Sequence, residues 1–266
     1  MSIINTLFIG HTVSKLEKVD STNQFLRQLI AEGDVAEGFV IDALEQYAGR
    51  GQRGASWYSE PGANLTLSIA LRPVFLIASD QFWISKAVAL GVAGFVSTVL
   101  LTEYKGSCKV EIKWPNDILV NGRKIAGILI ENILENSRIR YSIAGIGLNI
   151  NQKRFDPALP NPLSLALLTG NEYDLNSCME GLCISIEKYY LMVRNSTFKE
   201  VDALYHQILY RKDIQSQFSL GGRQFSGTIK QVTQEGHLLL DAPELKSGQD
   251  NEKFFRVMDL KQLQFL

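Results

Sequence analysis

Cysteine and histidine are scarce in this chain of 266 residues, with three of each. Cys108, Cys178 and Cys183 form no CxxC pair and are odd in number. That excludes a disulfide framework and a zinc ribbon, and fits small buried hydrophobes in a reducing compartment, with the cytoplasm as the expectation. His11, His206 and His237 are scattered, with no second ligand type at metal spacing, so no structural metal centre is expected. An excess of charge of either sign is also missing. The net charge of −1 provides no global field for nucleic acid or anionic lipid, so any anion must be met by a local cluster. The longest apolar run, around 87–101, is interrupted by glycine and falls short of a bilayer span; the N-terminus lacks a basic n-region and a small-residue cleavage site. No membrane partner is expected. What remains is an ordinary globular composition, 45% hydrophobic and 21% charged.

The most unusual stretch is Tyr47-Ala48-Gly49-Arg50-Gly51-Gln52-Arg53-Gly54-Ala55-Ser56-Trp57. Its glycines, free to take φ > 0, predict a flexible loop, and the planar forks of Arg50 and Arg53 suit a carboxylate or a phosphate. A solvated surface loop is the plain alternative. Ahead of it, an extended segment over 7–19 leads to Asp20-Ser21-Thr22-Asn23, where Asp20 or Ser21 is expected to cap a helix over 24–31. A strand over 38–46 then delivers the chain to the loop.

Beyond the loop, 64–71 alternates at period two, which predicts a strand with one buried face. A long buried helix over 81–101 follows, in which Gly91 and Gly94 allow close packing. A strand over 110–114 ends at Pro115-Asn116-Asp117, and Asn121-Gly122 predicts a hairpin turn within 118–131. A further strand covers 138–147. Several antiparallel strands with helices on one face make an α+β arrangement. The stretch 155–162 is irregular; helices are expected over 164–170, 175–195 and 198–210. After Arg211, short strands over 215–220, 224–232, 237–240 and 254–257, separated by glycine turns and a polar loop over 247–252, predict a small β-barrel.

Taken in order, these segments resemble the biotin protein ligase family. The likeness rests on Asp20-Ser21-Thr22-Asn23; Gln46 with the Gly49–Gly54 loop and Trp57; Gly62-Ala63-Asn64-Leu65; Lys113-Trp114-Pro115-Asn116-Asp117; Arg123-Lys124-Ile125-Ala126-Gly127-Ile128-Leu129; and Gly145–Asn149. It runs from about residue 7 to the end. Each piece alone is weak; the ordered set is specific. The resemblance implies a catalytic domain over 1–211 with the fold of biotin ligases and class II aminoacyl-tRNA synthetases, and an SH3-like domain over 212–266. It also implies two-step chemistry. Biotin and ATP give biotinyl-5′-AMP, with Mg²⁺ on the phosphates, and the biotinyl group then passes to a lysine of a biotin carboxyl carrier domain.

The resemblance also implies residue roles. Ser21, Thr22, Asn23, Gln46, Arg50, Gly51, Gln52, Lys124 and Gly127 would bind biotin, and Arg53, Trp57, Lys113, Asn116 and Asn149 the ATP or adenylate. Lys124 would bridge carboxylate and α-phosphate, with Arg50 its partner in catalysis, while Asp117 would hold the metal or only pair with a basic neighbour. One position departs from the pattern: Gln52 stands where the family's loop often has arginine. The ligase motifs begin at Asp20, leaving little room for the DNA-binding region of bifunctional members, so no DNA partner is expected. A homodimer through a sheet edge near Ile139–Ile143 is a further expectation. The alternatives are a lipoate or octanoate ligase of the same fold, and a biotin sensor without activity.

Overall fold

The computed structural model describes residues 5–245, 255–257 and 263–266. In chain order the first part runs β1 (Val13–Val19), α1 (Thr22–Glu32), β2 (Val40–Gln46), β3 (Leu65–Leu71), α2 (Phe82–Glu103), β4 (Val110–Lys113), β5 (Asp117–Val120), β6 (Arg123–Glu135) and β7 (Arg138–Leu148). Then come α3 (Leu165–Thr169), α4 (Leu175–Arg194), α5 (Phe198–Gln207), β8 (Gln215–Leu220), β9 (Arg223–Val232), β10 (Leu238–Asp241), β11 (Phe255–Val257) and β12 (Leu263–Phe265). The polar loop expected over 247–252 and the first residue of the strand expected over 254–257 lie outside the described residues.

Seven strands form one sheet in the order β1-β2-β3-β7-β6-β5-β4, antiparallel throughout except for the parallel pair β1–β2. The Asn121-Gly122 turn has φ of 50° and 76° at its two residues, the positive pair that a tight hairpin requires. Strand β3 departs from the expected single buried face, since all seven of its residues are buried. It is a central strand covered on both sides: Leu65, Leu67, Ile69 and Leu71 join the main core, while Ala70 faces Leu26 and Ile30 of α1. Helices α2, α4 and α5 thus cover one face as expected, and α1 covers part of the other.

Helix α2 is the spine of the main core. A Cβ on its Gly91 would sit 2.6 Å from the Ile186 Cα, so glycine is what lets α4 lie this close. With the turn ahead of it, Ala78–Glu103 is in fact long and apolar enough to cross a membrane, although the 87–101 run alone falls short. Most of that segment is buried between the sheet and α4.

The edge expected near Ile139–Ile143 is not an edge. Strand β7 is flanked by β3 and β6, and Ile139, Tyr141 and Ile143 are fully buried. Strand β4 is covered by chain 208–210, whose Ile208 carbonyl accepts from the Ile112 N–H at 2.8 Å. Among the described residues the uncovered outer strand is β1, which carries Lys15, Glu17 and Lys18, charges that discourage edge pairing.

The second sheet has the order β11-β10-β9-β8-β12 and is antiparallel. Strand β12 has no counterpart in the sequence-based expectation. The sheet is compatible with an SH3-like barrel, and it packs on the first unit. The Trp114 indole N–H donates to the Gly236 carbonyl at 2.9 Å, and Lys86 Nζ reaches Asp202 Oδ1 at 2.5 Å and the Val232 carbonyl at 3.3 Å.

Candidate active site

The first turn of α1 meets the end of β2 in a way that capping rules alone do not give. Ser21 stands at the N-cap position, but its hydroxyl makes no capping bond. Instead Gln46 Oε1, at the end of β2, accepts the Thr22 N–H at 2.8 Å, and Asp20 Oδ1 accepts the Ser21 N–H at 2.7 Å. Because a backbone N–H must face an oxygen, this contact fixes the Gln46 amide and leaves its Nε2 as the remaining donor on the cavity wall.

The glycine–arginine loop is more ordered than its composition suggests. Arg50 and Ser56 face each other in a β-bridge around a 3-10 turn over Gln52–Gly54. The Gly51 N–H donates to the Ala55 carbonyl at 2.7 Å, and the Trp57 N–H to the Gly49 carbonyl at 2.9 Å. Of the three glycines only Gly54 has positive φ, +82°; Gly49 is required instead by a close approach, since a Cβ there would lie 2.3 Å from the Trp57 carbonyl oxygen. The loop drops Trp57 onto two strands that make room for it. A Cβ on Gly147 would lie 2.1 Å from the indole, and one on Gly127 2.9 Å.

Two cavities adjoin here. The first, of ≈ 220 Å³, is lined by all nine of the residues expected to bind biotin, Ser21, Thr22, Asn23, Gln46, Arg50, Gly51, Gln52, Lys124 and Gly127. The second, of ≈ 410 Å³, is lined by Trp57, Lys113 and Asn149 among those expected to meet the nucleotide. Trp57, Ser56, Asp117 and Lys124 line both. Asn116 lies on the first cavity, not the second, and donates from Nδ2 to the Ile128 carbonyl at 2.9 Å. The side chain of Arg53 lies outside the described part.

At the junction, Lys124 Nζ sits 2.6 Å from Asp117 Oδ1 and 5.5 Å from the centre of the Trp57 ring. Lys113, 4.8 Å above the Phe265 ring, has its ammonium pushed below the usual lysine range. Burial is the main cause, and the nearby cations Lys124 and Arg211 add to it while Asp117 opposes. Three cations around one cavity make a site for a polyanion. Two buried polar atoms on its walls have no partner among the described residues, Trp57 Nε1 and Asn149 Oδ1. A polar ligand group there would relieve the desolvation that each otherwise carries.

Asp117 is the one acidic side chain lining either cavity, and no cluster of three His, Cys, Asp or Glu occurs among the described residues. The protein offers a metal one carboxylate. That suits Mg²⁺ carried in on phosphates and does not suit an ion caged by protein ligands.

Several lining residues are not foreshadowed by any motif. Arg211 stands at the turn into the second sheet and donates to the Leu266 carbonyl at 2.9 Å. Phe265 and Leu266 arrive from β12, and the irregular stretch Phe155–Pro162 forms the opposite wall. The one hint in the sequence is the run of basic residues Arg211-Lys212 at the composition change.

Residues 16–149, half of the chain, match the model of the biotin/lipoate A/B protein ligase family. The chain belongs to this family. Among named members, the bifunctional ligase/repressor BirA of Bacillus spizizenii is 29% identical over 246 residues, covering 91% of this chain and 73% of the relative. The biotin–[acetyl-CoA-carboxylase] ligase of Mycobacterium tuberculosis is 29% identical over 224 residues, covering 83% of this chain and 80% of the relative. The biotin protein ligase of Aquifex aeolicus, solved in complex with biotin and ATP, superposes with a TM-score of 0.72 at 22% identity over 96% of this chain and all of that one. That likeness establishes the biotin/lipoate ligase fold.

Proposed function

We propose that the chain is an ATP-dependent biotin–protein ligase, forming biotinyl-5′-AMP and then passing the biotinyl group to a lysine of a biotin carboxyl carrier domain. The reading rests above all on the junction of the two cavities, where the Lys124–Asp117 pair stands between a small pocket that carries the neutral polar Thr22 and Gln46 and a larger one with three cations. A ureido ring needs donors and acceptors without net charge, as Thr22 and Gln46 provide. A triphosphate needs cations, as Lys113, Lys124 and Arg211 provide. The likeness to named biotin ligases points the same way.

In the first step a biotin carboxylate oxygen bonds to the α-phosphorus while the bond to the pyrophosphate oxygen breaks. Both reactants are anions, and Lys124 lowers their repulsion by facing both. Asp117 holds Lys124 between the cavities until the ligands arrive. Asp117 would be the residue to hold a Mg²⁺ entering with ATP, which would supply charge neutralisation on the phosphates. In the second step the acceptor amine bonds to the acyl carbon and AMP leaves, with Lys124 stabilising the departing phosphate charge. Trp57 and the loop from Gly49 screen the anhydride from water. We take 1–211 as the unit carrying this chemistry and 212–266 as a smaller unit that lends Phe265 to the nucleotide cavity. The thiols of Cys178 and Cys183, pushed by burial up to about 11 and about 12, are unreactive and suit the cytoplasm.

The test is the mass of a carrier domain after incubation with the chain, ATP and either biotin or lipoic acid. A gain from biotin alone is expected. A gain from lipoate alone would replace the reading by the family's other branch, and no release of pyrophosphate with either acid would make the chain a sensor.

A further inference from the structure

Behind the first cavity lies a set of hydrogen bonds with one consistent direction. Asn23 Nδ2 stands 2.8 Å from Glu131 Oε2 and 3.3 Å from the Leu129 carbonyl, both of which only accept. The Asn23 amide is therefore fixed with its nitrogen toward Glu131 and its oxygen toward Ser68 Oγ, 2.6 Å away. Glu131 is itself held by Arg27 at 3.2 Å. The bare backbone of Gly145 allows Asn23 to lie flat on β7, since a Cβ there would be 2.3 Å from Asn23 Oδ1.

A serine hydroxyl has one proton, and Asn23 Oδ1 can only accept, so Ser68 donates to Asn23. Ser68 Oγ is also 2.7 Å from Thr22 Oγ1. With its own proton committed, Ser68 accepts there, and the Thr22 hydroxyl donates to it. The other acceptor near that proton, Gln46 Oε1, is farther away at 3.1 Å and already receives the Thr22 N–H. The Thr22 proton is thereby held on Ser68, inside the protein, and a lone pair is what Thr22 offers to the cavity it lines.

We infer that Ser68 and Glu131, neither of which lines the cavity, are positioning residues that make Thr22 an obligate acceptor for a ligand N–H, and so select a ring head that bears one. This inference rests on the biotin reading. The chain from Thr22 through Ser68 and Asn23 ends on a carboxylate, and each donation strengthens the next. Gln46, fixed with Nε2 as its free donor, presents the complement. Thr22 and Gln46 therefore offer one acceptor and one donor, which matches a cyclic urea and mismatches a dithiolane or an alkyl tail. Discrimination of this kind is strong, because a ligand without the N–H leaves a buried lone pair unpaired.

The experiment is a cycle of Ser68→Ala and parent, each assayed for pyrophosphate release with biotin and with biotins methylated on one or the other ureido nitrogen. The expected result is a rise of about tenfold in KM for biotin in the Ala variant, the worth of one well-formed hydrogen bond, with kcat essentially kept. For the analogue methylated at the nitrogen facing Thr22, parent and variant should have the same KM, because that bond is already gone. Glu131→Gln, at a half-exposed site that does not threaten folding, should move the same values in the same direction by less. An equal rise in KM for biotin and for both analogues would make Ser68 a structural residue, as would no rise at all, and either overturns the inference while leaving the ligase reading intact. If the parent fails to turn over biotin, the ligase reading itself fails first.

Discussion

Lys124 is more than a third exposed and ion-paired with Asp117, so its side chain contributes little to folding. Lys124→Gln should therefore leave the melting temperature near that of the parent while lowering adenylate formation about 10²- to 10³-fold, the usual loss when a fixed donor to developing charge is removed; biotin-dependent pyrophosphate exchange measures it. Lys113 offers a test by pH. Burial makes its ammonium lose its proton below the usual value of 10.5, whereas a bound phosphate would hold the proton on. ATP affinity should thus weaken as pH rises through that lowered value, and Lys113→Arg should remove the weakening; calorimetric titration at several pH values decides. Gln52 lines the first cavity at the position where the family resemblance leads one to expect arginine. On the proposal that Arg50 and Lys124 retain the adenylate, Gln52→Arg should slow its release, whereas equal release rates would show that the position does not matter.

At the scale of elements, the joint between α2 and α4 is the sharpest constraint. Gly91→Val would drive two methyl groups into the Ile186 backbone, already 2.6 Å from a Cβ. The helices must part, at a cost of about 1–3 kcal/mol or more, visible as a lower denaturation midpoint in urea. Because α2 lies across the sheet from Thr22 and Gln46, KM for biotin should hardly change in the folded fraction. The glycines of β6 and β7 act differently. Gly127, Gly145 and Gly147 leave space for the side chains of Trp57 and Asn23, so their constraint is on the site and not on the core.

At the scale of the whole molecule, helix α5 is joined to the second sheet by a polar contact that should respond to acid. The Val232 N–H of β9 donates to His206 Nε2 at 2.8 Å, and His206 Nδ1 donates to the Asp202 carbonyl at 2.8 Å, so the ring must be neutral. Burial lowers its pKa below 6.5, with Asp202 opposing. The folded state thus binds the proton less readily than the unfolded chain. The stabilisation is complete above the ordinary histidine value and is lost as pH falls below it. Melting temperature should drop between neutral pH and pH 5.5, and His206→Gln should flatten that drop. Beside it, the buried ammonium of Lys86 lies 4.7 Å from the Trp83 ring and 5.4 Å from that of Tyr205, so the second sheet rests on an aromatic box around a cation.

The sequence by itself determined the local elements and the residues that meet in the first pocket. Period-two and helical spacing, an Asn-Gly turn and glycine stops are short-range signals, and Asp20–Asn23, Gln46 and Lys124 sit in motifs of fixed spacing. Even the α1 cap was half legible: Ser21 holds the position, but only tertiary contact could show that Gln46, 24 residues after Thr22, accepts the Thr22 N–H. The rest depended on which segments meet across the chain. The full burial of β3 follows from α1 landing on the far face, and the burial of β7 follows from its central place in the strand order, which removes the edge expected near Ile139. Arg211 and Phe265 belong to the second cavity because the second sheet folds back against β4. The direction of the Glu131–Asn23–Ser68–Thr22 chain was equally hidden, because a hydroxyl's donor or acceptor role is set by its neighbours in space and leaves no mark on the residue itself.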